Sequence, residues 1–273
     1  MVRGLARACH PLPTIAVTCF IGSLAWAMGW PLSRLAGLLM VVLLGQLSVG
    51  WSNDAHDADL DRASNRQDKP VARGQVRAGQ LWAAAVAALS VSIAGSWVVA
   101  GWLGGSFHVL ALLAAWAYNL WLSRTTWSWV PYAVAFGCVP AFLGFGLDGQ
   151  PPAPWLVVVA ALIGVAGHLS NASGDIESDA LAGQGGLAVR MGERRSIAMC
   201  WVLLAAACGL LAAVGITESA GAGVAGAILV AAGYLGGLAW SWRGRGRRRA
   251  FHAVLAVTAV DLVALILVVR GFA

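Results

Sequence analysis

The sequence predicts an all-α polytopic membrane protein with nine transmembrane helices. Three observations carry that prediction. The 273 residues are 59% hydrophobic and only 11% charged, with mean hydropathy +0.76, a composition that a soluble domain of this length does not have. Nine apolar runs reach the length a helix needs to cross a bilayer, roughly 17–25 residues. They lie near 13–31, 34–51, 79–103, 106–122, 127–147, 154–172, 197–216, 221–241 and 250–269. Sixteen of the eighteen Lys and Arg residues fall in alternate connecting segments. No stretch is long enough for a second, soluble domain, so residues 1–273 read as one membrane domain.

Taken in order, the chain opens with MVRGLARACHPLP and an apolar run that resembles a signal peptide, Ala25-Trp26-Ala27 standing where a cleavage site would. The length of the run and the short return into the second span make it an uncleaved first span. After the second span comes the polar stretch NDAHDADLDRASNRQDKPVARG, from Asn53 to Gly74. Two spans, a short segment around Arg124 and two more spans follow. A second polar stretch, NASGDIESDALAGQGGLAVRMGERR, runs from Asn171 to Arg195. Between spans eight and nine, the run from Trp242 to Arg249 reads as an anchor to anionic headgroups. Trp30, Trp51, Trp102, Trp127, Trp129, Trp155 and Trp242 sit near span ends, where interfacial anchoring puts tryptophan. The five cysteines have no metal-ligand spacing, and neither a disulfide framework nor a zinc site is expected.

Lys and Arg set the orientation. With the N-terminus in the cytoplasm, only Arg34 and Arg270 lie on the outer side. Both acidic stretches are then cytoplasmic, the C-terminus is outside, and the +6 net charge follows from membrane topology without any nucleic-acid partner.

The two polar stretches hold nine of the twelve acidic residues and share a skeleton: Asn53, Asp57 and Asp61 return 118 residues later as Asn171, Asp175 and Asp179. If each stretch continues the preceding helix, each triplet stands at i, i+4 and i+8 on one face, with Asp54 beside the first. Such carboxylate rows repel each other unless a cation sits between them. Hard oxygen donors on two elements suit Mg²⁺, which bridges to phosphate oxygens. Arg62, Arg66, Lys69, Arg73 and Arg190 are close by in sequence. Divalent metal together with Arg and Lys suits a diphosphate, whose negative charge grows as it departs. For Arg194 and Arg195 topology alone is the simpler account.

At these residues the chain resembles the UbiA superfamily of intramembrane prenyltransferases. Asn53, Asp54, Asp57 and Asp61 match that family's NDxxDxxxD pattern, Arg66 follows at the expected offset, and DKPVARG resembles its RPxxxG ending with Lys69 in place of Arg. Tyr118 to Arg124 resembles a Y-x5-R segment, with Ser123 where Lys is usual. Asp175 and Asp179 match D-x3-D, and LAVRMG (Leu187–Gly192) resembles LAVRLG. The resemblance covers nearly the whole chain. It implies a nine-helix bundle around a central cavity open to lipid. It also implies that Mg²⁺ holds an isoprenyl diphosphate between the two acidic motifs, and that a lipophilic, often aromatic, acceptor captures the allylic cation. Asp54, Asp57, Asp61, Asp175 and Asp179 would bind metal-diphosphate. Asn53 and Asn171 would support them, and Arg66, Lys69, Tyr118, Arg124 and Arg190 would contact the diphosphate.

The second loop departs from the family pattern. Ala172 stands where many members have a third acid, Gly174 where Arg or Asp is frequent, Leu181 and Gly185 at usually basic positions, and Gly186 at a usual Thr or Ser. Asp261 lies mid-span, where an ionisable group is a functional candidate by default, with a hydrogen bond to a neighbouring helix as the structural alternative. His56 points off the ligand face, and His168 lies before Asp175 on its helix. The expected function is Mg²⁺-dependent prenyl transfer. Intramembrane terpene cyclisation is the alternative within the resemblance. A cation transporter is the alternative from another class, disfavoured because transporter sites lie near the midplane on broken helices.

Overall fold

The computed structural model describes residues 2–63, 69–174, 176–181, 185–218, 220–242 and 247–270. Helices make up nearly all of them, and no strand occurs among them. In chain order they are α1 (Val2–Ala8), α2 (Pro11–Ala27), α3 (Leu32–His56), α4 (Ala58–Ala63), α5 (Ala78–Leu120), α6 (Val130–Asp148), α7 (Pro154–Ser173), α8 (Ile176–Leu181), α9 (Leu187–Met191), α10 (Glu193–Glu218), α11 (Ala220–Trp242) and α12 (Arg247–Arg270). Among the described residues, five helices are long and apolar enough to cross a membrane: α3, α5, α6, α7 and the Glu193–Thr217 part of α10. The apolar parts of α2, α11 and α12 are shorter, at Pro11–Ala27, Val224–Trp240 and His252–Ile266. The count of nine spans therefore stands as an expectation.

α5 explains part of the difference. Its 43 residues would reach about 65 Å as a straight helix, roughly twice the hydrocarbon core of a bilayer. Gly101, with φ 66° and ψ −177°, interrupts it. That left-handed φ is open to glycine and costly for other residues. The runs 79–103 and 106–122 thus share one element, and the break falls at Gly101 rather than after residue 103.

The described chain forms two compact units. Unit 1 comprises residues 1–123 and 141–150; unit 2 comprises 124–140 and 151–273. The division inside α6 falls at Pro140, which lacks the N–H for the helical hydrogen bond.

In unit 1, α3 packs along α5 through small residues, as apolar surroundings require for close backbone approach. Ser92 donates to the Val41 carbonyl (2.7 Å), Ser96 to the Ser92 carbonyl (2.6 Å), and Ser96 meets Nδ1 of the buried His108 at 2.7 Å. Arg34 caps two helix ends. Its guanidinium donates to the carbonyls of Val99 (2.9 Å), just before the Gly101 break, and of Gly146 and Leu147 at the end of α6. Those carbonyls lie at helix ends, where helical partners run out, which gives this cation a structural use. Its carbon also sits 4.6 Å from the ring centroid of Trp30. Trp30 itself is buried, with Nε1 donating to the Leu143 carbonyl. It belongs to the packing of unit 1, whereas Trp102, Trp127 and Trp129 are exposed in the way interfacial residues are.

α1 lies over the end of α3. Trp51 Nε1 donates to the Leu5 carbonyl at 2.9 Å, and Gly50 meets the backbone of Cys9 so closely that a Cβ would stand 2.7 Å from the Cys9 oxygen. Ala8, Ala55, Ala58, Val71, Val76 and Leu81 form one buried apolar cluster, flanked by Leu5, Trp51, Ala78 and Trp82. This cluster fixes α1, the end of α3, α4 and the 69–77 turn against each other.

In unit 2, α10 packs on α7 and α11, and α12 on α11 and α7. Asp261 of α12 is buried, and the Cys208 thiol of α10 donates to its Oδ1 at 3.2 Å. That contact is the neighbouring-helix hydrogen bond that a single sequence cannot reveal. The five cysteines are free.

Candidate active site

The first acidic row is built by the end of α3. The helix runs through Asn53 to His56, and Asp57 caps it with φ −86° and ψ 3°. α4 begins one residue later, yet the main-chain ladder is continuous: Asp57 N–H donates to the Asn53 carbonyl (3.0 Å) and Asp61 N–H to the Asp57 carbonyl (2.8 Å). Asn53, Asp57 and Asp61 therefore keep their i, i+4, i+8 relation across the junction. The Asn53 amide also reaches Asp57 Oδ2, at 3.4 Å.

Burial separates the acids. Asp54 is 1% exposed and Asp61 5%, Asp57 is half-buried, and Asp59 faces outward. Asp59 is ion-paired with Arg62 at 2.6 Å on the surface, so that pair lies off the site. Asp54 Oδ1 receives Lys69 Nζ at 2.6 Å and His10 Nε2 at 2.9 Å. A buried carboxylate without such partners would be very costly. Lys69, expected to contact diphosphate, is thus held on Asp54, while Val71 and Val76, in the turn that follows it, are part of the buried apolar cluster. Asp61 and Asp57 are half-buried or buried polar groups of the same short segment.

α5 braces this helix end. Asn119 donates from Nδ2 to the Val49 carbonyl and to Ser52 Oγ, each at 2.9 Å, and Trp116 Nε1 donates to Ser48 Oγ at 3.1 Å. Tyr118, beside Asn119, is half-buried. Neither Asn119 nor His10 stood out in the sequence. Asn119 sits inside the Y-x5-R segment without being part of its pattern, and His10 is 44 residues from its partner.

The second acidic row belongs to unit 2. α7 carries the exposed Asn171 and ends at Ser173, with Gly174 as its cap. Asp179 lies half-buried on α8. Asp175, like Arg66 of the first stretch, lies outside the described residues. His168 is 2% exposed and organises this region. Leu187 N–H, at the start of α9, donates to Ser128 Oγ (3.0 Å), and Ser128 Oγ is 3.1 Å from His168 Nε2. Having accepted from Leu187, the Ser128 hydroxyl is set to donate to Nε2. The imidazole stacks on Tyr132 with centroids 4.6 Å apart. His168 thereby ties α7, α9 and the start of α6 together. Arg190, exposed on α9, donates from Nε to the Gly185 carbonyl at 2.8 Å, and Arg124 is exposed at the end of a short 3₁₀ turn.

Among the described residues, no three His, Cys, Asp or Glu side chains stand close enough together to hold a metal ion. The first row does offer the hard oxygen donors that Mg²⁺ takes: Asp57 and Asp61 on one helical face, Asp54 beside them and the Asn53 amide at their head.

Residues 15–260 match the model of the UbiA prenyltransferase family. The chain belongs to that family. Among curated UbiA relatives, it is 32% identical over 124 residues to the protoheme IX farnesyltransferase of Clavibacter michiganensis subsp. michiganensis (strain NCPPB 382), covering 43% of this chain and 39% of that one. It is 26% identical over 213 residues to naringenin 8-dimethylallyltransferase 2 of Sophora flavescens, covering 72% of this chain and 51% of that one. The chain thus spans about two fifths to a half of the length of these curated relatives. A UbiA homolog from Archaeoglobus fulgidus bound to DMAPP and Mg²⁺ has the same fold, with TM-score 0.73 at 18% identity over 98% of both chains. So does the apo UbiA homolog from Aeropyrum pernix K1, with TM-score 0.74 at 20% identity over 93% of this chain and 96% of that one.

The unusual glycines of this UbiA member's second loop do not serve backbone freedom. Gly174 has φ −72° and Gly186 φ −57°, and Gly185 is not among the glycines with positive φ. A Cβ at Gly185 would meet the Arg124 carbonyl oxygen at 3.0 Å, so a larger residue there has to displace main chain.

Proposed function

We propose that this protein transfers a prenyl group from an isoprenyl diphosphate to a lipophilic, ring-containing acceptor within the membrane, with Mg²⁺ as cofactor and residues 1–273 acting as one membrane domain. The observation that carries this reading is the continuous Asn53–Asp57–Asp61 ladder at a helix end, with Asp54 buried beside it against Lys69. Relatives named as a farnesyltransferase and a dimethylallyltransferase support the donor class, and their named acceptors, protoheme IX and naringenin, both contain rings. A homolog of the same fold is described with DMAPP and Mg²⁺.

When bound, Mg²⁺ neutralises the diphosphate oxygens and stabilises the charge that collects on the leaving group. Asp57, Asp61 and, from the second row, Asp175 and Asp179 would hold it, with Asp54 completing the first row and Asn53 and Asn171 supporting them. Arg66, Arg124 and Arg190 would bind phosphate oxygens directly, with Tyr118 beside them, while Lys69 contributes charge through Asp54. In the reaction the allylic C–O bond breaks, its electron pair leaves with the diphosphate, and an acceptor carbon forms the new bond and then loses a proton. An apolar surrounding would keep water from the cation. Both acidic rows face the cytoplasm in this reading.

Mass spectrometry of lipid extracts from cells with and without the gene tests this reading. A lipid heavier by whole isoprene units is expected only with the gene. A new hydrocarbon isomeric with the prenyl chain, and no adduct, would mean cyclisation instead.

A further inference from the structure

We infer that His10 is a positioning residue of the first acidic row, holding the Asp54 carboxylate in a fixed direction from outside the family's matched region. This rests on the functional reading above. The family match begins at residue 15, and no sequence pattern draws attention to His10. The structure gives it a role through three observations.

First, His10 Nε2 lies 2.9 Å from Asp54 Oδ1, the same oxygen that Lys69 Nζ approaches at 2.6 Å. A carboxylate oxygen between an ammonium and an imidazole only accepts, so Nε2 carries the hydrogen. The 3.4 Å separation of Lys69 Nζ and His10 Nε2 is then two donors sharing one acceptor. Two donors on one oxygen fix the plane and rotation of the carboxylate, which one flexible Lys cannot do alone.

Second, His10 adopts φ 52° and ψ 71°, and no other described non-glycine residue has positive φ. Proline follows it and further narrows the preceding residue's conformation. A left-handed non-glycine persists only where its surroundings impose it, and such residues cluster at functional sites. Glycine would fit this turn with less strain, so the imidazole, not the turn, is what the position requires.

Third, the turn is clamped. The Cys9 carbonyl accepts from Thr14 Oγ1 at 2.6 Å, the Cys9 backbone lies against Gly50, and Trp51 holds the Leu5 carbonyl. These contacts deliver the imidazole to Asp54, one turn of α3 from Gly50. A side chain serving only to fill space would need none of this directional support.

The test uses detergent-purified full-length protein and follows its thermal midpoint during titration with MgCl₂ at fixed inorganic pyrophosphate. His10→Gln keeps an N–H at a similar reach, His10→Met has nearly the same length without a donor, and both bear the same backbone strain. His10→Gly removes the strain and the side chain together. We expect His10→Gln to respond within about threefold of the wild-type Mg²⁺ concentration. His10→Met should need about tenfold more, the loss expected for one charge-assisted hydrogen bond. His10→Gly should be at least as stable as the wild type without ligand, yet bind as weakly as His10→Met. Equal titrations of His10→Gln and His10→Met overturn the assignment, even if His10→Gly fails to fold. A wild type that shows no shift at all overturns the functional reading and this inference with it. A responsive wild type with indifferent His10 variants overturns the inference alone.

Discussion

A carboxylate that is 1% exposed needs a counter-charge, and Asp54 takes it from Lys69, whose side chain is 14% exposed. Removing the Lys strands a buried charge. Lys69→Met should therefore lower stability by about 1–3 kcal/mol as well as weaken diphosphate binding, and the double variant Asp54→Asn/Lys69→Met should regain most of the stability but none of the binding. Thermal unfolding in detergent and pyrophosphate titration separate the two effects. Arg62→Ala should change neither, because the Asp59–Arg62 pair is at the surface, where such pairs contribute little. The acidic row was legible in the sequence because its 3.6-residue periodicity is local. The division of labour inside it was not. Nothing in the order of residues says that Asp54 turns inward to Lys69 while Asp59 turns outward, since that depends on what packs against the helix.

At the scale of elements, most helices follow from apolar runs, and the hydrogen-bond geometry at their ends does not. Arg34 looked like an exception to the charge pattern; its reason is that the Gly101 break and the end of α6 both leave carbonyls for it to cap. Arg34→Gln should lower the thermal midpoint, with a loss of about 1–3 kcal/mol, while leaving the Mg²⁺ and pyrophosphate titration unchanged. A shifted titration with unchanged stability would place Arg34 in the site instead. The same logic covers His168. A histidine near an acidic motif suggests proton transfer, but a neighbouring helix start, through Leu187 and Ser128, occupies its Nε2. Such long-range partners, 40 and 59 residues apart, carry no signature in one sequence.

For the whole molecule, composition and Lys/Arg placement made the membrane class readable, because bilayer burial and the positive-inside bias act along the whole chain, while the family was readable only from the local acidic motifs. The number of spans was less readable: a glycine break within one long helix and short apolar helices blur where one span ends. The proposed orientation predicts that Gln75→Cys, in the loop after the first acidic row, resists an impermeant thiol reagent in intact cells, whereas Gln150→Cys, after α6, is labelled. Both are exposed, and the exposed native Cys19 is replaced by Ala in the background. Labelling of residue 75 from outside would invert the topology.

We propose that residues of both acidic rows are needed to hold a metal-bound diphosphate for ionisation. The most direct measurement is release of diphosphate from an allylic prenyl diphosphate by the purified protein in detergent, with and without Mg²⁺. The wild type should release diphosphate only with Mg²⁺ and stop on adding EDTA. Asp57→Asn in the first row and Asp175→Asn in the second should each reduce the rate at least a hundredfold, the order expected for losing a charge from metal-assisted catalysis, while keeping the wild-type thermal midpoint. Full rate in either variant, or release that ignores EDTA, would show that the two rows do not bind metal-diphosphate.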